Sequence, residues 1–138
     1  MRYLVFMLVG LALVSCKELE VEQYEYHSTT MMGRTSWIVN QDSTIVSFQG
    51  RGEPWRMSSV TPPNRWNNLN DAMKGVDLLK VSTLEAPSNK RATDAAPFGK
   101  FVFVDKDSTI TSADFDDGNP NEMLKPLMTV MEQVQQDM

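Results

Sequence analysis

Two short runs of β-branched and aromatic residues, each folded back on a second run by an Asx-rich turn, constrain this chain more than any other feature. Ser36-Trp37-Ile38-Val39 meets Thr44-Ile45-Val46-Ser47-Phe48 through Asn40-Gln41-Asp42-Ser43. Phe101-Val102-Phe103-Val104 meets Thr109-Ile110-Thr111 through Asp105-Lys106-Asp107-Ser108. This pattern predicts two β-hairpins, because Asn, Asp and Ser hydrogen-bond their own backbone in tight turns while β-branched residues pack on pleated strands. At an offset of 65, Val39, Asp42, Ser43, Thr44, Ile45 and Ser47 match Val104, Asp107, Ser108, Thr109, Ile110 and Ser112. The hairpins are therefore two copies of one ββα unit or convergent uses of one turn chemistry. Leu19 to His27 can supply a further strand ahead of them.

A helical pattern follows each hairpin. The first starts near Thr61, with Pro62 at the first helical position, where its missing N–H costs nothing. Trp66, Leu69, Ala72 and Met73 then form one apolar stripe, and Gly75 can stop the helix in a left-handed conformation. The second starts at Asn119-Pro120-Asn121-Glu122, which reads as an N-cap, a proline at N1 and a glutamate at N3. Met123, Leu124, Leu127, Val130, Met131 and Val134 make its stripe. Pro126 falls off that stripe and is expected to kink the helix on the solvent side, exposing the carbonyl of Glu122. The order β-β-β-α-β-β-α predicts an α+β domain, an antiparallel sheet with helices packed on one face. Gln49 to Ser58 reads as a long loop, and Trp55, Arg56 and Met57 on it are residue types enriched at interface anchors. They form a candidate partner-binding loop; the alternative is that Trp55 folds back as a lid over the sheet.

The N-terminus carries an address. Met1-Arg2 is a short positive segment, and Tyr3 to Val14 is an uncharged apolar run of 12 residues. As a helix that run spans about 18 Å, short of the roughly 20 residues a bilayer crossing needs, and it suits a signal peptide. Leu13-Val14-Ser15-Cys16 follows and resembles the lipobox of bacterial lipoproteins. Under that resemblance, residues 1–15 are a signal peptide with Leu13, Val14 and Ser15 read by the signal peptidase. The Cys16 thiolate accepts a diacylglyceryl group, and two or more acyl chains give stable anchoring. Residues 16–24 are then an acylated N-terminus and tether, and 25–138 a single domain. Lys17 directly after the cysteine is compatible with outer-membrane sorting. The run Lys17-Glu18-Leu19-Glu20-Val21-Glu22 is either a solvated tether or similar to the charged tags of surface-exposed lipoproteins.

Without residues 1–15, which hold Arg2 and no acid, 18 Asp and Glu face 12 Lys and Arg, a net charge of −6. Phosphate backbones repel such a chain, so no nucleic-acid partner is expected. The single cysteine allows no internal disulfide, and burial alone must hold the domain. No metal or other cofactor is expected. In the acidic run Asp105, Asp107, Asp114, Asp116 and Asp117, the frame that puts Gly118 at position 6 of a calcium loop puts Ala113, Phe115 and Leu124 at positions 1, 3 and 12. No catalytic residue is assigned: the one histidine, His27, lies in an aromatic β-like stretch and reads as a strand residue at a sheet edge or face.

Trp66-Asn67-Asn68-Leu69, Val76-Asp77-Leu78, Pro87, Asp94-Ala95-Ala96, Phe115-Asp116-Asp117-Gly118-Asn119-Pro120 and Leu124-Lys125-Pro126-Leu127 together resemble small bacterial lipoproteins. More distantly they are similar to emfourin-like inhibitors of thermolysin-like metalloproteases. Where that pattern has a Gly-Gly-x-Gly-like turn, this chain has Thr30-Met31-Met32-Gly33, and no inhibitory residue is carried over. The expectation is a lipid-anchored, non-catalytic binding domain of the bacterial cell envelope, at the outer membrane on a face left open. The bilayer is one partner through Cys16, a protein such as a metalloprotease a second, and protease inhibition the sharpest form. A carboxylate-dependent envelope hydrolase and a purely structural lipoprotein are the alternatives.

Overall fold

A computed structural model of the chain describes residues 19–138. Leu13, Val14, Ser15 and Cys16 lie outside the described residues. Four strands come first: β1 (Val21–Thr30), β2 (Gly33–Asn40), β3 (Ser43–Gly50) and β4 (Trp55–Val60). Helix α1 (Pro63–Ala72) and 3₁₀ turns at Leu78–Thr83 and Lys90–Thr93 lead to β5 (Phe98–Asp105), β6 (Thr109–Thr111) and β7 (Phe115–Asp116). A 3₁₀ turn at Glu122–Leu124 runs into α2 (Lys125–Asp137). The strands form one antiparallel sheet in the order β4-β3-β2-β1-β5-β6, with β7 also pairing with β5. This is the expected α+β class. The folded part begins ahead of residue 25, because β1 starts at Val21 and buries Tyr24.

Strand alternation divides the sheet into two faces. Tyr24, Tyr26, Val39, Phe101 and Phe103 point to the helix side and form one core with Leu69, Val81, Phe115, Leu124, Leu127, Met131 and Val134. The Tyr24 ring meets Trp66 edge-on at 5.5 Å, and Tyr26 lies 5.1 Å from Phe101. Each buried hydroxyl finds a partner, as burial requires. Tyr24 donates to Asn70 at 2.8 Å, and Tyr26 donates to Asp117 while accepting from the Gly118 N–H. The other face, with Glu25, His27, Ser36, Ile38, Ile45 and Val102, carries no helix among the described residues.

Both expected hairpins form, and in the same register: Val39 pairs with Thr44, and Val104 with Thr109. Their faces are inverted, however. Val39 is buried in the core, whereas Val104 stands opposite Gln23, the side away from Tyr24. A duplicated ββα unit would keep equivalent residues on the helix side, so the likeness is one of turn chemistry. Asn40 Oδ1 accepts from the N–H groups of Asp42 and Ser43, and Asp105 Oδ1 accepts from the Lys106 N–H.

Five details differ from expectation. Gln49–Ser58 is not a long loop: β3 runs to Gly50 and Trp55–Val60 pairs with it as β4. Helix α1 starts at Pro63, with Pro62 as N-cap. The 3₁₀ turn that leads into α2 is capped by Asn121, whose side chain accepts from the Met123 N–H, and not by Asn119, while α2 itself begins at Lys125 without a side-chain cap. Pro126 sits in the first turn of α2, where no N–H is needed, so it starts the helix instead of kinking it. The Glu122 carbonyl accepts from Lys125 N–H. Met123 is exposed, and Met128 takes the buried place.

Candidate functional site

The antiparallel order puts two turns at the same end of the sheet, the end farthest from the start of β1. Ten residues of β1 separate the two ends, about 33 Å at extended spacing. The β1–β2 turn presents Met31 and Met32, 77% and 57% exposed. The β3–β4 turn, residues 51–54, lies against it: Arg51 N–H donates to the Met32 carbonyl at 2.8 Å. Thr30 Oγ1 accepts from the Met32 N–H at 3.1 Å and closes the first turn. Two solvent-facing turns are thus tied into one knuckle.

Trp55, Arg56 and Met57 lead away from this knuckle on β4, and all six residues of that strand are exposed. Trp55 stacks on Phe48, ring centres 6.5 Å apart, yet keeps 44% of its surface exposed. It is therefore propped on the sheet without being swallowed by it. A groove of about 370 Å³ beside it is lined by Ile38, Ile45, Ser47, Gln49, Trp55 and Arg56 among others. Arg34, Arg51 and Arg56 are exposed, and none of them forms an ion pair among the described residues. Glu53 is the acid within the β3–β4 turn. The two turns and the strand residues flanking them thus carry three arginines against one acid.

A wider, more polar groove of about 1060 Å³ lies at the opposite end, between the start of β1 and the segment after α1. Leu19, Val21, Trp66 and Met73 line it together with Glu20, Glu22, Asp42 and Asp77.

His27 lies on the open sheet face and not alone. Its Nδ1 is 2.7 Å from Ser36 Oγ, and its Nε2 is 2.8 Å from Glu25 Oε2. Gln23 donates to the other Glu25 oxygen at 2.6 Å. The bond from His27 lowers the Glu25 pKa, burial opposes it, and the Gln23 amide adds to the lowering. The order hydroxyl, imidazole, carboxylate matches a nucleophile–base relay. Ser36, however, sits on β2 between β1 and β3, so backbone N–H groups there are engaged in ladders and not aimed at a developing oxyanion. Of these bonds, His27–Ser36 crosses from β1 to β2, and the other two run along β1.

Asp116 anchors a second polar cluster. Its carboxylate accepts from the Ser88 hydroxyl, from the Lys90 and Arg91 N–H groups at 2.8 Å each, and from the Arg91 guanidinium at 3.2 Å. Burial pushes its pKa up, but these donors outweigh that and hold it well below the usual carboxylate range. Burial pushes the Tyr26 phenol strongly up, and its bond to Asp117 adds to the rise. Asp116 and Glu25 are both held ionised, the opposite of a carboxyl group poised to donate a proton. Among the described residues no three His, Cys, Asp or Glu side chains gather around a common point for a metal ion.

The residues that carry the emfourin-like resemblance mostly build this scaffold. Leu69, Phe115, Leu124 and Leu127 are core, and Asp116 ties the 88–91 segment to β7. Met31, Met32, Arg34 and Arg51 were not assigned from sequence; two consecutive methionines beside a glycine were the available signal. Comparison with known protein families and with curated proteins finds no match to this chain.

Proposed function

We propose that the chain is an acylated lipoprotein of the bacterial envelope whose domain binds a protein partner without catalysing a reaction. The observation that carries this is the gathering of Met31, Met32, Trp55 and three arginines without an ion pair among the described residues, at the sheet end farthest from the start of β1. A domain tethered through Cys16, five positions before Val21, would hold that end away from the bilayer and toward other macromolecules. Exposed apolar residues rimmed by charge are the usual make-up of an interaction surface. No helix among the described residues is long and apolar enough to cross a membrane, so the lipid is the anchor in this reading. The sharpest form of the proposal is inhibition of a thermolysin-like metalloprotease, supported by the resemblance and by a knuckle that can enter a cleft.

Titrating the chain against such a protease, while following cleavage of a small peptide, tests it. Saturable inhibition is expected, weakened by more than about 1 kcal/mol in Trp55→Ala or in a Met31→Ser/Met32→Ser variant. No inhibition at micromolar concentration of several envelope and secreted metalloproteases removes the inhibitor form. Inhibition untouched by these variants removes the site.

A further inference from the structure

We propose that β4 is a docking edge for an extended acidic peptide segment of the partner, which adds an eighth strand to the seven-stranded sheet, outside β4. This rests on the protein-binding reading above and names the chemistry of what is bound. The sheet has two outer strands on its main path, and they are unequal. β6 has three residues, too few to template another strand. β4 has six, about 20 Å of edge, and among the described residues pairs only with β3. A strand of that length with its outer main-chain groups unpaired is the setting for β-augmentation, in which ladder bonds give affinity and alternate side chains give specificity.

The side chains state which segment fits. On the open face, Arg56 stands opposite Ser47, and the small Ser58 stands opposite Ile45. Ser58 leaves Ile45 and Ile38 accessible as the floor of the 370 Å³ groove, with Arg56 at its wall. An incoming strand would therefore place a carboxylate beside Arg56 and, two residues along, an apolar side chain reaching over Ser58. Arg34 and Arg51 reinforce the preference for acid at the knuckle end, with only Glu53 against them in the adjoining turn. Charge complementarity thus selects an acidic-apolar alternating segment over a basic one.

The test uses the full chain in lipid nanodiscs and two labelled, end-blocked peptides: Thr-Val-Thr-Glu-Thr-Val-Thr and its counterpart with Lys for Glu. Fluorescence anisotropy should show the Glu peptide binding about five- to tenfold tighter than the Lys peptide, and Arg56→Glu should invert that order. Amide hydrogen exchange of residues 55–60 should slow on adding the Glu peptide. Binding without added protection in 55–60, or a preference that survives Arg56→Glu, overturns the proposal. So does protection of 55–60 that grows with protein concentration alone, since a second copy would then occupy the edge. If the Met31→Ser/Met32→Ser variant loses a protein partner while neither peptide binds, the protein-binding reading stands and the edge-strand inference falls.

Discussion

Gly33 and Gly50 stand directly opposite each other at the last rung of the β2–β3 ladder, and neither has room for a side chain. A Cβ on Gly50 would lie 2.2 Å from the Met32 carbonyl oxygen, and one on Gly33 would lie 2.4 Å from that of Gln49. Gly33 also holds φ at +150°. Backbone therefore packs on backbone at this corner, and that contact sets how Met31 and Met32 are presented.

Gly50→Ala should cost about 1–3 kcal/mol in urea denaturation, because the obstructing atoms are main chain and cannot rotate away. It should also weaken any partner contact made by the two methionines by more than the stability loss explains. An unchanged denaturation midpoint would mean that the corner has slack the geometry does not show.

Leu127→Asp should destabilise the domain by about 3 kcal/mol or more, since it puts a charge at a fully buried position of α2. Lys125→Asp should stay within roughly 0.5 kcal/mol, because Lys125 is exposed, its pair with Glu122 is exposed, and an acid suits a helix N-terminus. Thermal unfolding of both variants checks the helix register.

Stability should fall in acid through Asp116. Its folded pKa is depressed below the ordinary 3.8, so the folded state binds the proton less readily than the unfolded one. The contribution is present above that ordinary value and is lost as pH drops through the folded pKa. Asp116→Asn should lower the melting temperature at neutral pH and flatten the acid limb of a melting-temperature profile. A variant whose acid limb matches that of the parent would assign the effect elsewhere, with Glu25 the next group to replace.

Cys16→Ala should abolish acylation and leave the precursor uncut or soluble, checked by labelled palmitate and membrane fractionation. Continued labelling and membrane partition of the variant would refute the lipobox assignment.

Periodicity and turn chemistry made the sheet, its two hairpins and both helices legible, because each depends on neighbours in sequence. The β4 strand was not legible. Pro54 and two glycines punctuate its approach, and Ser58 and Ser59 offer little β preference, so pairing with β3 decides its conformation. The Asn121 cap was missed for a related reason: Asn119, the other candidate, bonds Ser88 and bridges to Asp116, segments distant in sequence or outside the helix. Of the candidate site, Trp55, Arg56 and Met57 were nominated by residue type, on a segment expected to be a loop. Their junction with Met31 and Met32 was not, since a hydrogen bond from Arg51 to Met32 joins segments that only the sheet order brings together.

The place of β1 between β2 and β5 has a consequence for biogenesis. Residues 21–30 need residues 98–105 as their second neighbour, so the middle of the sheet closes only after most of the chain is available. A chain exported N-terminus first would hold β1 with one bare side throughout that interval, and such non-local pairing is slow and prone to intermolecular mispairing. If the chain is exported as proposed, partner-free β1 and β5 segments are thus the stretches a chaperone would shield, and the even-numbered tyrosines of β1 are the apolar surface it would find.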